Sequence, residues 1–293
     1  MIASSPSLPT QALAAFGYEV LAHLHRSRGF DVYDAWSSLR RCRCVIKTPR
    51  VDRLGDPTLR GCLVREGRLL CRLTHPHILR GYDVIPGPPP AVLTETLRGQ
   101  TLEHLLETSR RLTAAEAAVL GVQLCSAVAY LHELGYLHLD LKPSNVVVDA
   151  GRAVLIDLSI AQRFGRGRPG LGTWCYLAPE QAVGDQLGPA ADVWGIGVVL
   201  FEALIGRPLF GAGDPEDEGD ASIITDSERR PEDYPQLEAR APHIGTLRRL
   251  PAALATAVDA CLEPEPSGRP SVCDLSEMLE GVPGAGSPRA VRE

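Results

Sequence analysis

YLHLDLKPSNVVVDAGRAVLIDLSIA (Tyr136–Ala161) sets two carboxylates, an ammonium and an amide among apolar residues. The four polar side chains are those of Asp140, Lys142, Asn145 and Asp157. A charge in an apolar segment is costly unless it is paired or binds something. Either these side chains face water as loop residues, or they converge on one ligand.

The spacing within this stretch favours convergence. Asn145 follows Asp140 by five residues, and the apolar runs VVVD and AVLID predict a hairpin that returns the chain to Asp157. An amide and a carboxylate suit Mg²⁺, which prefers oxygen ligands and keeps positions for water or phosphate. Asp140 would then remain free as a base.

Composition narrows the class of protein. The 293 residues are 44% hydrophobic and 23% charged, which fits a globular protein with a full core. The net charge of -6 and the lack of a sustained Lys/Arg block argue against a nucleic-acid partner. The eight cysteines form no CxxC pairs, which argues against structural zinc.

The sequence also bears on cellular location and membrane contact. With no signal-peptide pattern, reduced thiols and a cytoplasmic location are expected. The apolar run VWGIGVVLFEALIG is interrupted by Glu202 and is shorter than the roughly 18 residues that a bilayer requires. We therefore expect no membrane span.

The pattern changes along the chain. Short apolar runs from Tyr18 to about Leu97 predict a small sheet, with one helix in LVREGRLLCRL. From Leu102 onward, AAEAAVLGVQLCSAVAYLHELG and ADVWGIGVVLFEALIG predict long helices, the first with a glycine at its C-terminal end. Residues 1–15 and 282–293 are expected to be flexible ends. The acidic, Pro-rich segment Gly211–His243 predicts a surface excursion, either a solvated spacer or a dock for a basic partner.

A second polar pair lies upstream. Lys47 ends the predicted strand CVIK, and Glu66 lies 19 residues further on, in the predicted helix. A lone pair of this kind more often forms a surface ion pair worth under about 1 kcal/mol. By itself it identifies nothing.

In this order the motifs resemble the eukaryotic-type (Hanks-type) serine/threonine protein kinases of bacteria, over about Tyr18 to Leu279. The resemblance implies an α+β, bilobal protein-kinase-like fold over residues 16–281. Its N-lobe, about residues 16–95, would be a small antiparallel sheet with one helix, and its C-lobe, about residues 98–281, would be larger and mainly helical. It also implies ATP and Mg²⁺, and a protein substrate with a Ser/Thr acceptor.

The resemblance assigns the polar residues to roles. Lys47 would hold the ATP phosphates and Glu66 would orient it. Asp140 would accept or orient the proton of the substrate hydroxyl, and Lys142 would neutralise the transferred phosphoryl group. Thr173 in GTWCYLAPE would hydrogen-bond near both, or would be a simple turn residue. The metal ligands would be Asn145 and Asp157, the latter in DLS, which stands in place of D-F-G.

Further matches concern the adenine site and the scaffold. Glu180 of APE would pair with Arg269, and Asp192 would brace the backbone of the catalytic loop. The resemblance implies that the adenine is surrounded by apolar residues and by the segment that joins the lobes. The apolar residues could equally be ordinary core. The residues concerned are Leu24, Val32 and Val45 in the slot, Thr94 as gatekeeper, and Glu95 and Leu97 with backbone groups for the base.

The glycine-rich loop departs from the family pattern. The residues at its three glycine positions are His25, Ser27 and Phe30. Gly29 is displaced by one position. Glycines let the backbone lie close over phosphates, so side chains here should weaken or reshape that cradle. Arg26 and Arg28 are either compensating charges or plain surface residues.

Three other departures concern control. Leu139 replaces the arginine of H-R-D, so no cation is available there for a phosphorylated activation loop. That loop has few hydroxyls, those of Ser159, Thr173 and Tyr176, which predicts little control by its phosphorylation. Leu158 and Ser159 in DLS favour a metal-binding aspartate held in one orientation.

Three functions remain open from the sequence. The first is an active ATP- and Mg²⁺-dependent serine/threonine protein kinase, which the retained Lys47, Glu66, Asp140, Asn145 and Asp157 favour. The second is a pseudokinase scaffold, supported by the altered phosphate loop. The third is a small-molecule phosphotransferase, which the APE and Thr173 segments disfavour. The fold alone does not choose among them.

Overall fold

The computed structural model describes residues 13–109, 111–210 and 233–285, and they form two compact units. The first unit runs to Thr74 and includes Leu79–Leu97, and the second contains His75–Ile78 and the described residues from Arg98 onward. Most of the predicted flexible ends lies outside the described residues. Residues 211–232, the larger part of the predicted acidic excursion, also lie outside the described residues.

The first unit contains the predicted small antiparallel sheet. Its strands in spatial order are β1 (Tyr18–Arg26), β2 (Phe30–Ser37), β3 (Cys42–Pro49), β5 (Ala91–Thr94) and β4 (Gly81–Ile85). Because side chains alternate along a strand, Cys44 and Ile46 join an apolar cluster on one face. Val45 and Lys47 therefore lie on the opposite face.

One long helix, α1 (Pro57–Leu70), accompanies this sheet. The side chain of Asp56 caps it by accepting hydrogen bonds from the backbone N–H groups of Thr58 and Leu59. Sequence periodicity alone starts this helix six residues too late, at Leu63, because it misses the Asp-Pro start signal. The helix passes close to the sheet at Gly67, where a Cβ atom would lie 2.4 Å from Val92 Cγ2.

The second unit is mainly helical, as predicted. Helix α3 (Ala114–Glu133) begins with a capping box between Thr113 and Glu116, and Gly135 follows its end with φ of 75°. The described helices are α2 (Leu102–Ser109), α3 (Ala114–Glu133), α4 (Pro179–Val183), α5 (Pro189–Ile205), α6 (Pro235–Glu238), α7 (Ile244–Leu247), α8 (Ala252–Cys261) and α9 (Val272–Glu280).

Short strands flank the polar motifs of this unit. The predicted hairpin is confirmed as β8 (Val146–Asp149) paired antiparallel with β9 (Arg152–Leu155). The others are β6 (Gln100–Thr101), β7 (Tyr136–Leu137), β10 (Gln162–Arg163), β11 (Gly165–Arg166) and β12 (Gln186–Leu187). Short 3₁₀ turns lie at Val51–Arg53, Pro143–Asn145, Trp174–Tyr176 and Pro266–Gly268.

Among the described residues, helix α3 has the length and apolar composition that a membrane span needs. Half of its most apolar window is buried within the protein. The core helix of a globular protein passes the same test, so this is weak support for a span. Sequence alone points to VWGIGVVLFEALIG as the longest apolar run, whereas the helix that meets the length and hydropathy test is α3, with 20 residues.

Candidate active site

Lys47 and Glu66 form an ion pair in the first unit. The Lys47 ammonium donates to both carboxylate oxygens of Glu66, at 3.2 and 3.0 Å. The Glu66 side chain is only 2% exposed. The alternative of a plain surface ion pair is therefore wrong, because a carboxylate this deeply buried requires its partner.

The residues predicted to surround the adenine also lie in the first unit. Val32 and Val45 are half-buried on the Lys47 face of the sheet, outside the apolar cluster of the other face. Thr94 is buried opposite Val45, whereas Leu24 is 54% exposed. This placement argues against ordinary core for these apolar residues.

The predicted hinge residues end the same unit. The Glu95 backbone N–H donates to the Arg80 carbonyl at 3.0 Å, and the Glu95 carboxylate accepts from the Arg80 N–H at 3.0 Å. Of the Glu95 backbone groups, only the carbonyl can therefore be offered to a base. Leu97 is the last residue of this part of the unit.

The altered glycine-rich loop is the tight turn between β1 and β2. Arg26 is not available as a compensating charge, because its guanidinium donates twice to the buried Asp31, at 2.7 and 3.0 Å. His23 contacts the same carboxylate at 3.0 Å. Burial disfavours the charged form of Asp31, but hydrogen bonds from Arg26 and His23 outweigh it and hold its pKa below the usual range.

The catalytic loop brings four predicted residues together in the second unit. The Thr173 hydroxyl donates to Asp140 Oδ1 at 2.7 Å and accepts from the Lys142 ammonium at 2.9 Å. The Asn145 amide nitrogen donates to Asp140 Oδ2 at 2.7 Å and to the Asp140 carbonyl at 2.9 Å. All four are buried. Thr173 is thus more than a turn residue, since both of its contacts are charged.

The hairpin brings Asp157 back to this loop. The Ile156 N–H donates to the Asn145 carbonyl at 3.0 Å, so Asp157 follows directly on a residue bonded to the other predicted metal ligand. Asp157 Oδ1 accepts the Ser159 backbone N–H at 2.7 Å, a bond that any residue except proline could donate at position 159. That the DLS sequence holds Asp157 in one orientation stays a prediction.

The residues present fit a bound Mg²⁺. Both hydrogen bonds of the Asn145 amide use its nitrogen, which leaves the amide oxygen outside these bonds. An amide oxygen and a carboxylate are hard ligands, with phosphate and water completing the set. Across the residues that the structure describes, no three His, Cys, Asp or Glu side chains cluster as a metal site. The two-residue set of Asn145 and Asp157 stays a prediction.

Asp192 braces the catalytic loop, as the resemblance implies. Its carboxylate accepts the N–H groups of His138 and Leu139, at 2.9 and 2.8 Å. Leu139 needs this support because it is a buried non-glycine residue at φ of 67°. Sequence reasoning missed His132, whose Nε2 lies 2.8 Å from the same carboxylate.

The His138 ring is buried beside these carboxylates. Burial lowers its pKa, and the nearby charges of Asp192 and Asp140 oppose this without reversing it. Its Nδ1 accepts the Asp140 N–H at 3.2 Å. A neutral ring is consistent with that acceptor role.

The hydroxyls of the activation segment all point inward. Ser159 and Thr173 are buried, and the Tyr176 hydroxyl donates to Glu202 at 2.8 Å. Burial, with the Glu202 charge, raises the pKa of Tyr176. Sequence reasoning missed Gln181, whose amide donates to the Leu139 carbonyl at 2.9 Å and so fixes α4 to the catalytic loop.

The predicted pair of Glu180 and Arg269 is confirmed. The Arg269 guanidinium donates to both Glu180 oxygens, at 2.6 and 2.9 Å, and both side chains are buried. Such a two-bond contact fixes geometry as well as contributing energy. It ties the start of α4 to the segment before α9.

Comparison with known proteins agrees with this geometry. A family model of the protein kinase domain matches residues 20–279. The chain belongs to the protein kinase family. Serine/threonine-protein kinase PkaA of Streptomyces coelicolor is 32% identical over 254 residues, which cover 81% of this chain and 42% of that protein. Serine/threonine-protein kinase PknB of Mycobacterium tuberculosis is 32% identical over 184 residues, which cover 58% of this chain and 29% of that protein.

These matches confirm the resemblance to bacterial serine/threonine protein kinases and the predicted fold class. By family the chain is a transferase of the serine/threonine protein kinase class. A probable serine/threonine-protein kinase of Streptomyces coelicolor, 29% identical over 290 residues, covers 92% of the chain. The chain spans less than half the length of these curated relatives.

Proposed function

We propose that this kinase domain is catalytically active and transfers the γ-phosphate of ATP, with Mg²⁺, to a serine or threonine hydroxyl of a protein. The observation that carries the proposal is the buried hydrogen-bonded group of Asp140, Asn145, Lys142 and Thr173. Burying two charges in one such network is costly, and an idle scaffold has no need of it.

Each side chain has one task in the proposed transfer. The substrate hydroxyl attacks the γ-phosphorus, its proton passes to the Asp140 carboxylate, and ADP leaves. Thr173 holds Asp140 and Lys142 in register, so that the ammonium meets the negative charge of the transferring group. Bound Mg²⁺ supplies charge neutralisation at the phosphates. Most of the catalysis is positioning of this kind.

The distribution of lysine supports activity over the pseudokinase alternative. The chain has 30 basic residues, and only Lys47 and Lys142 are lysines. The other 28 are arginines, and the two side chains differ most where a compact ammonium on a flexible stem is required. If two of the 30 basic positions were chosen at random to hold lysine, Lys47 and Lys142 would rarely be the two chosen. Retention of lysine at these two positions therefore favours an active enzyme.

The pseudokinase scaffold keeps one specific observation in its favour. The turn between β1 and β2 uses backbone N–H groups internally: those of Ser27 and Phe30 bond within the turn itself. Groups spent in this way are not offered to phosphates. Weak nucleotide binding with no transfer would agree with that alternative.

The test is transfer of labelled γ-phosphate from Mg-ATP by the purified chain, to itself and to a generic basic protein. Asp140→Asn and Lys47→Met should each abolish transfer, while Asp149→Asn, a carboxylate of the β8–β9 turn, should retain it. Phosphoserine or phosphothreonine in the product would establish the acceptor type. Absence of transfer by the unaltered chain, with ATP still raising its melting temperature, would contradict the proposal.

A further inference from the structure

Phe30 occupies an unusual place next to Lys47. It stands at the third glycine position of the altered phosphate loop, and its side chain is 2% exposed. The Lys47 ammonium lies 5.1 Å from the centre of its ring. A cation within about 6 Å of an aromatic face is attracted to it, and more strongly when water is excluded.

The turn between β1 and β2 holds this ring in place. The Ser27 N–H donates to the Phe30 carbonyl at 2.9 Å, and the Phe30 N–H donates to the Ser27 hydroxyl at 3.1 Å. The Gly29 carbonyl accepts the Arg50 N–H at 3.0 Å. A Cβ atom on Gly29 would lie 3.0 Å from Leu59 Cδ2, so the turn rests against helix α1. A side chain at position 29 would require Leu59 to shift.

The same contacts connect the ring to both members of the ion pair. Leu59 and Glu66 belong to α1, and Lys47 belongs to β3, which pairs with β2 at Phe30. Lys47 thus has the Glu66 carboxylate as one neighbour and the Phe30 ring as another. Two attractive contacts restrict a flexible lysine more than one does.

We propose that Phe30 is a positioning residue, whose ring holds the Lys47 ammonium against Glu66 in place of a glycine cradle over the phosphates. The proposal rests on the proposed function for the role of Lys47 toward ATP. It predicts that loss of the aromatic face, without loss of volume, loosens Lys47 and weakens nucleotide binding.

The first test uses the two lysines of the chain. The 293-residue chain labelled with ¹³C and ¹⁵N in lysine has two sets of lysine side-chain signals, and Lys142→Arg identifies which belongs to Lys47. Ring current should shift the Lys47 ε-methylene protons upfield, and Phe30→Leu should remove that shift while the Lys142 signals stay in place. If Phe30→Leu leaves the Lys47 signals unmoved, the proposal is wrong.

The second test measures affinity. Site-specific replacement of Phe30 by 3,4,5-trifluorophenylalanine keeps the ring close to its original shape. The fluorine atoms withdraw electrons and remove the negative electrostatic potential of the ring face. The dissociation constant of a fluorescent ATP analogue with Mg²⁺ should rise about fivefold, the size of a modest cation–π contact. The same analogue at Phe201, buried in α5, is the matched control and should change nothing.

A double variant separates positioning from general packing. In a Lys47→Met background, the fluorinated ring should have no further effect on affinity, since the residue it acts on is gone. An equal loss in both backgrounds would overturn the proposal. If the unaltered chain binds Mg-ATP but transfers no phosphate, the proposed function fails while these affinities still decide the role of Phe30. If the unaltered chain binds no Mg-ATP, the NMR signals of Lys47 still decide whether Phe30 positions it.

Discussion

Thr173 joins the two charged side chains on which the proposed transfer depends. Its hydroxyl donates to Asp140 and accepts from Lys142. Thr173→Val keeps the shape and removes both bonds, so kcat should fall about 10- to 100-fold, the worth of a hydrogen bond to a charged group. Thr173→Ser keeps the hydroxyl and should stay within about threefold, by the same reasoning. Initial rates at saturating ATP measure both, and equal rates for valine and threonine would reduce Thr173 to a turn residue.

Residues whose partners lie within a recognisable motif were predictable from sequence. Lys47, Glu66, Asp140 and Asn145 have fixed order and spacing, and Glu180 of APE has one partner implied by the family. His132 and Gln181 were not, because they bond residues 60 and 42 positions away and neither belongs to a polar motif. Only the folded backbone brings such side chains together.

Helix α1 carries two glycines that differ in their surroundings. A Cβ atom at Gly67 would lie 2.4 Å from Val92 Cγ2 and 2.8 Å from Val84 Cγ2, whereas Gly61 has nothing within 4 Å. Gly67→Ala should cost about 1–3 kcal/mol of unfolding free energy through overpacking. Gly61→Ala should add about 0.5–1 kcal/mol, because it only removes backbone freedom.

Denaturant unfolding of the two variants measures both changes in unfolding free energy, which should have opposite signs. Gly67→Ala should also weaken binding of an ATP analogue, because Glu66 is its neighbour and would move with the helix. A stabilising effect at both positions would mean that the sheet yields to the extra methyl group. Sequence periodicity predicts the helix, but it does not show that Gly67 is closely packed while Gly61 faces open space.

The activation segment is the second element with a testable consequence. Ser159 and Thr173 are buried, and the half-buried Tyr176 donates its hydroxyl to Glu202, so we expect all three to be poor targets for another kinase in the folded state. Phosphatase treatment of the purified chain should change its activity less than about twofold, since no charge-driven ordering of the segment is available. Mass spectrometry before and after treatment checks occupancy at these three positions. A large loss of activity would overturn the prediction.

Stability of the second unit should depend on pH. Burial lowers the pKa of His138, and also of His75 and His77, below the usual value of 6.5. The unfolded chain therefore takes up protons as pH falls through 6.5 while the folded chain does not, and the unfolding free energy decreases. For His138 the slope approaches about 1.4 kcal/mol per pH unit.

Denaturant unfolding at pH 7.5, 6.5 and 5.5 measures this slope. His77→Gln, which keeps an amide donor for the Ala153 carbonyl and cannot titrate, should make it shallower. Equal stability at all three values would contradict the lowered pKa values of these rings. At this scale the sequence predicted the two units and their content, but not that His138 is buried and that His75 and His77 are half-buried.

The inward hydroxyls of the activation segment bear on how a cell could govern such an enzyme. Under the proposed function, a domain whose activation segment is already seated against the catalytic loop would not wait for a phosphate on Ser159, Thr173 or Tyr176 before acting. A signal that governs such a domain would have to act on another part of it or on its substrate.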